Sequence, residues 1–125
     1  MTIEFFIKGL LPGLNEIISD ARCSRGKWSS YNTKKQALQH DIFIQIKKQL
    51  APLPVVDSSA YLIFRWIEKN KRRDKDNIAV GKKFILDALV EIGVLTGDGW
   101  RQIEGYTDLF SVDSKNFGVS VQIHY

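Results

Sequence analysis

With 125 residues, 44% of them hydrophobic, the chain has enough apolar material for one domain with a substantial core, expected to span residues 1–125. Its formal charge of +4 is mildly basic and compatible with a nucleic-acid partner; the basic residues gather at Arg22–Lys35 and Lys69–Lys83. The single cysteine, Cys23, excludes an internal disulfide and points to a reducing compartment. Neither His40 nor His124 is placed to act as its base, and MTIEFFIKGLLPGLN reads as neither a signal peptide nor a membrane span.

Ile3, Phe5 and Ile7 alternate with Thr2, Glu4 and Lys8, so residues 2–8 are expected to form a strand with one buried face, interrupted on its polar side by Phe6. Gly9–Gly13 ends it, and Glu16–Cys23 is expected to form a short helix. Arg22–Tyr31 is either a solvated loop or a mobile basic loop, in which Arg25 and Lys27 meet phosphates while aromatics stack on bases or wedge into a junction. Thr33 with Gln36 has the pattern of a capping box and predicts a helix start. Leu38, Ile42, Ile46 and Leu50 then recur every four residues, the stripe of a core-facing helix that stops before Pro52 and Pro54.

Residues 58–67 are apolar on both faces, apart from Arg65, which predicts an interior strand covered on both sides. Asp74 and Asp76 follow. If the extended backbone continued through Lys75, both side chains would point the same way at a strand's carboxyl end. Adjacent carboxylates repel unless a cation lies between them, and a hard divalent ion bound through oxygen is the simplest remedy. A lone D-x-D more often marks a solvated turn. The next helix is expected from about Asn77 or Ala79 to Ile92, with Phe84, Ile85, Ala88, Leu89 and Ile92 as its apolar stripe and Gly93 as its cap. Lys83 and Asp87 lie four apart on it. Finally, Ile103–Val112 and Asn116–Tyr125 read as two strands joined in a hairpin by Asp113-Ser-Lys, with His124 facing solvent. The order β-α-α-β-α-β-β predicts a mixed α/β domain, a four-stranded mixed sheet packed with helices.

Over Arg72-Arg73-Asp74-Lys75-Asp76-Asn77, then Lys83, Asp87-Ala88-Leu89, Gly93 and Asp98, the sequence resembles the RusA family of Holliday-junction resolvases, common in phages and prophages. The N-terminal strand leading into Leu11-Pro12 and Asn15 is a weaker echo. The resemblance implies a RusA-like fold and a homodimeric, Mg²⁺-dependent endodeoxyribonuclease. Such an enzyme resolves four-way DNA junctions by paired symmetric nicks, in the cytoplasm of a bacterial host and without a membrane partner. It also implies catalytic and metal-binding roles for Asp74, Asp76 and Asp98, a catalytic role for Lys83, and one or two Mg²⁺ ions, with Mn²⁺ as a substitute. Lys69, Lys71, Arg72, Arg73 and Lys82 would hold DNA phosphates. Ala79-Val80-Gly81 are inserted relative to the family pattern, so Lys82 or Lys83 could fill the lysine's role; Lys83 keeps the family spacing to Asp87. Gly97 stands where the family often carries a second acid. A metal-dependent nuclease for other branched DNA or RNA, and a DNA-binding module without catalysis, are the alternatives. Phe6 and Phe117 are candidates for a dimer interface.

Overall fold

The structure, a computed structural model, describes residues 1–17 and 28–125, with side chains from residue 34 onward in the second segment. Its elements are β1 (Thr2–Lys8), α1 (Trp28–Gln49), β2 (Ala60–Glu68), α2 (Lys75–Ala79), α3 (Lys82–Glu91), β3 (Ile103–Val112) and β4 (Gly118–His124). The strands form one mixed sheet in the order β1-β4-β2-β3. The fold is therefore the α/β class that the periodicities predict. Residues 14–17 are helical, whereas the remainder of the helix expected over Glu16–Cys23 lies outside the described residues, as do Arg25 and Lys27.

The predicted hairpin does not form. β4 runs antiparallel between β1 and β2, pairing Ile3 with Ile123 and Phe64 with Val121, while β3 pairs in parallel with the far side of β2. The turn itself is present, with Asp113 Oδ1 accepting from the amides of Lys115 and Asn116 at 3.0 and 3.2 Å. Its job is to carry the chain across the end of β2. The reason lies in β4, whose Val119, Val121 and Ile123 are all buried, so a central place is favoured over an edge.

The sheet buries one face. Along β2, Ala60, Leu62, Phe64, Trp66 and Glu68 are buried, while Tyr61 and Arg65 are exposed and Ile63 and Ile67 are half-buried. The expectation of cover on both sides is thus corrected. Apolar composition on the second face reflects strand-forming residues rather than a second layer, and Tyr61 there bonds its neighbour Thr107 at 2.5 Å. The covered face packs against Ile42 and Ile46 of α1 and Phe84, Ile85, Ala88 and Leu89 of α3, all in one core.

Helix α1 already includes Trp28, five residues before the capping-box threonine. Serine, tyrosine, asparagine and threonine each cost a helix only about 0.7 kcal/mol or less, so the local signal did not stop it. Two of its glutamines seal the sheet's edge. Gln49 accepts from the Phe6 amide at 2.7 Å and donates to the Phe6 carbonyl at 2.6 Å, and Gln45 accepts from the Lys8 amide at 2.8 Å.

The single helix predicted over 77–92 is two. Between them, the Gly81 amide bonds the Ile78 carbonyl and the Lys83 amide bonds the Val80 carbonyl, tight i to i+3 turns that replace the α-helical ladder. Gly81 is buried there, and a Cβ on it would come within 3.1–3.3 Å of Leu11 and Trp66. At the other end, the amides of Gly93 and Val94 bond the carbonyls of Val90 and Leu89, with Gly93 at φ +85°. That is a Schellman cap, and the glycine stands where the sequence placed it.

Candidate functional site

A cleft of about 730 Å³ opens at the carboxyl ends of the parallel strands β2 and β3. Asp74 and Asp76 both line it, with Asn70, Lys71 and Lys75 from the same segment and Phe110, Ser111 and Val112 from the end of β3. The backbone that brings the two aspartates there differs from the extended path first expected. Asp74 is still extended, at φ −71° and ψ 153°, but it is the N-cap of α2, and Asp76 already belongs to that helix. Among the described residues, neither carboxylate has a hydrogen-bond or ion-pair partner. Asp74 makes no side-chain capping bond, and both aspartates are exposed. An aspartate at an N-cap ordinarily accepts from an amide of the first turn. Here that acceptor capacity faces the cleft.

Arg73, between Arg72 and Asp74, is held inside. Its Nε and second guanidinium nitrogen donate to the two carboxylate oxygens of Glu68 at 2.8 and 2.9 Å, and its remaining nitrogen donates to the Leu11 carbonyl at 2.8 Å. Glu16 lies 3.7 Å away. A buried glutamate on the core face of β2 needs such a partner, since an unpaired buried charge is strongly destabilising. These bonds clamp the loop before Asp74 to β2 and to the segment after β1, and Arg73 also lines the cleft beside Asp74. Lys69, Lys71 and Arg72 are exposed beside it.

Asn77 also reaches the N-terminal segment. Its Oδ1 accepts from the Asn15 amide at 3.0 Å, and a Cβ on Gly13 would come within 2.6 Å of that oxygen. Glycine at 13 is what lets the two segments approach.

The two lysines at the start of α3 have separate fates. Lys82 is largely buried, 2.7 Å from Asp108 Oδ2 and 3.7 Å above the centre of the Tyr106 ring. Asp108 in turn accepts from the Trp66 indole at 2.9 Å. Lys82 thus fastens α3 to β3. Lys83 is two-thirds exposed and bonds Asp87 at 3.0 Å. Asp87 is shared with Lys35 of α1 at 3.6 Å and lies 3.5 Å from the Gln39 amide nitrogen.

The Asp87 hydrogen bond and charge hold the Lys83 ammonium above its ordinary pKa of 10.5; burial opposes them, and the charge of Asp98 adds a lesser upward push. The folded-state pKa is raised, so this favourable coupling is fully present below pH 10.5 and is lost as pH rises through the folded value. At neutral pH Lys83 is a cation and has no lone pair with which to act as a base.

Asp98, between Gly97 and Gly99, is exposed and close enough for Lys83 to feel its charge. It does not line the cleft of Asp74 and Asp76. Among the described residues, no three Asp, Glu, His or Cys side chains are gathered as a ready metal-ligand group. The Asp74–Asp76 pair does suit a hard cation: two unengaged carboxylates in an open cleft match the habit of Mg²⁺, which takes one or two carboxylates and keeps several waters.

Glu68, Asp108 and Trp66 were not recognised from sequence. The available signal was alternation: Glu68 and Asp108 fall on core-facing positions of their strands, where a charge requires a partner. No protein-family model matches the chain, and no curated protein matches it. Among the described residues, no helix is long and apolar enough to cross a membrane.

Proposed function

We propose that the chain is a divalent-metal-dependent, structure-specific endodeoxyribonuclease of the RusA type, acting on four-way DNA junctions in a bacterial cytoplasm. The observation that carries this reading is the pair of unengaged carboxylates, Asp74 and Asp76, on a cleft that also presents Lys71 and Lys75. Acids beside phosphates oppose DNA binding unless a cation intervenes. Carboxylates and lysines on one cleft therefore fit metal-assisted phosphodiester chemistry better than simple DNA attachment.

Phosphodiester hydrolysis requires an activated water, an in-line approach and neutralisation of charge on the leaving oxygen. A bound Mg²⁺ supplies water activation and charge neutralisation. Asp74 and Asp76 would hold the ion, and Asp98 is the third carboxylate of the proposed set. Lys83, kept protonated by Asp87 and Asp98, would face the negative charge that develops on the phosphate. Lys69, Lys71 and Arg72 would hold neighbouring phosphates, fixing position without reading sequence. Paired nicks need two equivalent sites, which a twofold homodimer provides.

The substrate is tested by comparing Mg²⁺-dependent cleavage of a mobile four-way junction with that of linear duplex, flap and single strand. Strong preference for the junction is expected. Equal cleavage of the flap would replace the junction reading with a broader branched-DNA nuclease. A second reading, a DNA-binding module without catalysis, is favoured by the separate position of Asp98, and predicts junction binding with no cleavage of any substrate in Mg²⁺ or Mn²⁺.

The roles of the two lysines separate experimentally. Lys82→Ala leaves Asp108 half-buried without its cation and is expected to lower stability by about 1.5–3 kcal/mol in urea denaturation. Lys83→Ala removes an exposed ion pair, with an expected stability change of at most about 1 kcal/mol, but should slow cleavage by on the order of 10²-fold. The reverse pattern would assign catalysis to Lys82.

A further inference from the structure

The loop that carries Asp98 also displays a tryptophan wholly in water. Trp100 is exposed to 101% of its reference surface, whereas Trp66 is buried and bonded to Asp108. In the chain beside it, Asp98, Gly99 and Arg101 are exposed and Gln102 is half-buried, so the flanking residues give the ring no apolar rim.

The turn beneath the ring is braced. The amides of Gln102 and Ile103 both donate to the Gly99 carbonyl, at 3.2 and 3.0 Å, and the Ala60 amide of β2 donates to the Gln102 carbonyl at 2.9 Å. The Gln102 side chain lies so close to Gly97 and Gly99 that a Cβ at either would come within 3.2 Å of it. A side chain at either position would make the glutamine give way by a few tenths of an ångström. A single exposed leucine on a protein surface calls for no account. An indole presented whole from a braced turn, two residues from a candidate catalytic carboxylate, does.

We propose that Trp100 stacks on a nucleobase of the bound DNA at a branch point or other interruption of base stacking, with Arg101 meeting an adjoining phosphate. This deepens the nuclease reading and rests on it. The surroundings select the partner. A protein interface concentrates its affinity in an aromatic anchor enclosed by other contacts that exclude water, and the polar and glycine residues flanking Trp100 in the chain do not provide them. A base needs only a π-face, and a nearby cation strengthens the contact. Bases inside a regular duplex are already stacked on both sides, so the ring gains a partner only where stacking is broken. The contact would therefore favour branched over linear DNA.

The test measures binding without catalysis, in EDTA, using a four-way junction with 2-aminopurine at the branch and a linear duplex of matched length. Trp100→Ala is expected to weaken junction binding by about 5-fold to 150-fold, to leave duplex binding unchanged, and to abolish the change in 2-aminopurine fluorescence. Trp100→Phe should retain most of the affinity, and the melting temperature of either variant should match that of the parent. Junction affinity unchanged in Trp100→Ala, or an equal loss on junction and duplex, would overturn the proposal. So would a change in self-association with DNA binding intact, which would mark the ring as a protein contact. If Trp100→Ala binds and cleaves junctions as the parent does, the stacking role alone fails. If the parent binds no DNA of any form, the nuclease reading fails with it.

Discussion

Replacing Asp74 with asparagine is expected to leave junction binding intact while slowing cleavage by on the order of 10³-fold, comparable to removing one preorganised charge-stabilising group. The substitution is well matched to the site. Asparagine is as good an N-cap as aspartate, and the Asp74 side chain makes no capping bond to lose, so α2 should form as before. The Ile78 amide bonds the Asp74 carbonyl, which the substitution does not touch. What changes is one negative charge on the cleft. Electrophoretic mobility shift in Ca²⁺ and cleavage in Mg²⁺ read binding and chemistry separately. Cleavage retained in Asp74→Asn would remove the aspartate pair from the mechanism and end the metal-dependent reading. Tighter binding with lost cleavage would still support it, because a carboxylate facing phosphate is repulsive in the absence of metal.

Arg73→Ala should act on a different quantity. The substitution leaves Glu68, only 7% exposed, with no guanidinium. Breaking a buried pair from one side costs about 3–5 kcal/mol. In a domain of this size that corresponds to a fall in melting temperature of roughly 10–20 °C. The double variant Arg73→Met with Glu68→Leu, which removes both charges, should recover much of the loss, because no isolated buried charge remains. If Arg73 instead gripped DNA, Arg73→Ala would melt like the parent and show a shallower salt dependence of binding. The two measurements point in opposite directions and leave little room for a mixed outcome. Arg73 also determines where Asp74 starts, through the bonds that tie its loop to Glu68 and to the Leu11 carbonyl.

The elements legible in the sequence were those whose periodicity is set by burial. The stripe Leu38, Ile42, Ile46, Leu50 and the stripe Phe84, Ile85, Ala88, Leu89 each found the core, and the alternation in residues 2–8 gave β1. Gly93 was legible because a left-handed cap has few candidate residues. Strand order was not, since alternation says which face a residue occupies and nothing about which strand lies beside it. A four-residue turn after β3 suits a hairpin locally, yet β4 gains more burial between β1 and β2. At the site, Asp74 and Asp76 were found by spacing, although the spacing argument assumed the wrong backbone. The internal bonds of Arg73 and Lys82 were not legible, because a basic residue in a basic run gives no sign of its partner. Those partners, Glu68 and Asp108, lie five and twenty-six positions away. Trp100 gave no periodic signal at all.

The glutamines on α1 have a consequence for assembly. By occupying the Phe6 amide and carbonyl and the Lys8 amide, Gln45 and Gln49 leave the carboxyl half of that border with little to offer an incoming strand. Among the described residues, β3 forms the opposite border and has no strand on its outer side. An added strand would therefore meet a longer row of open backbone groups along β3 than along β1, which biases lateral pairing between molecules toward that margin.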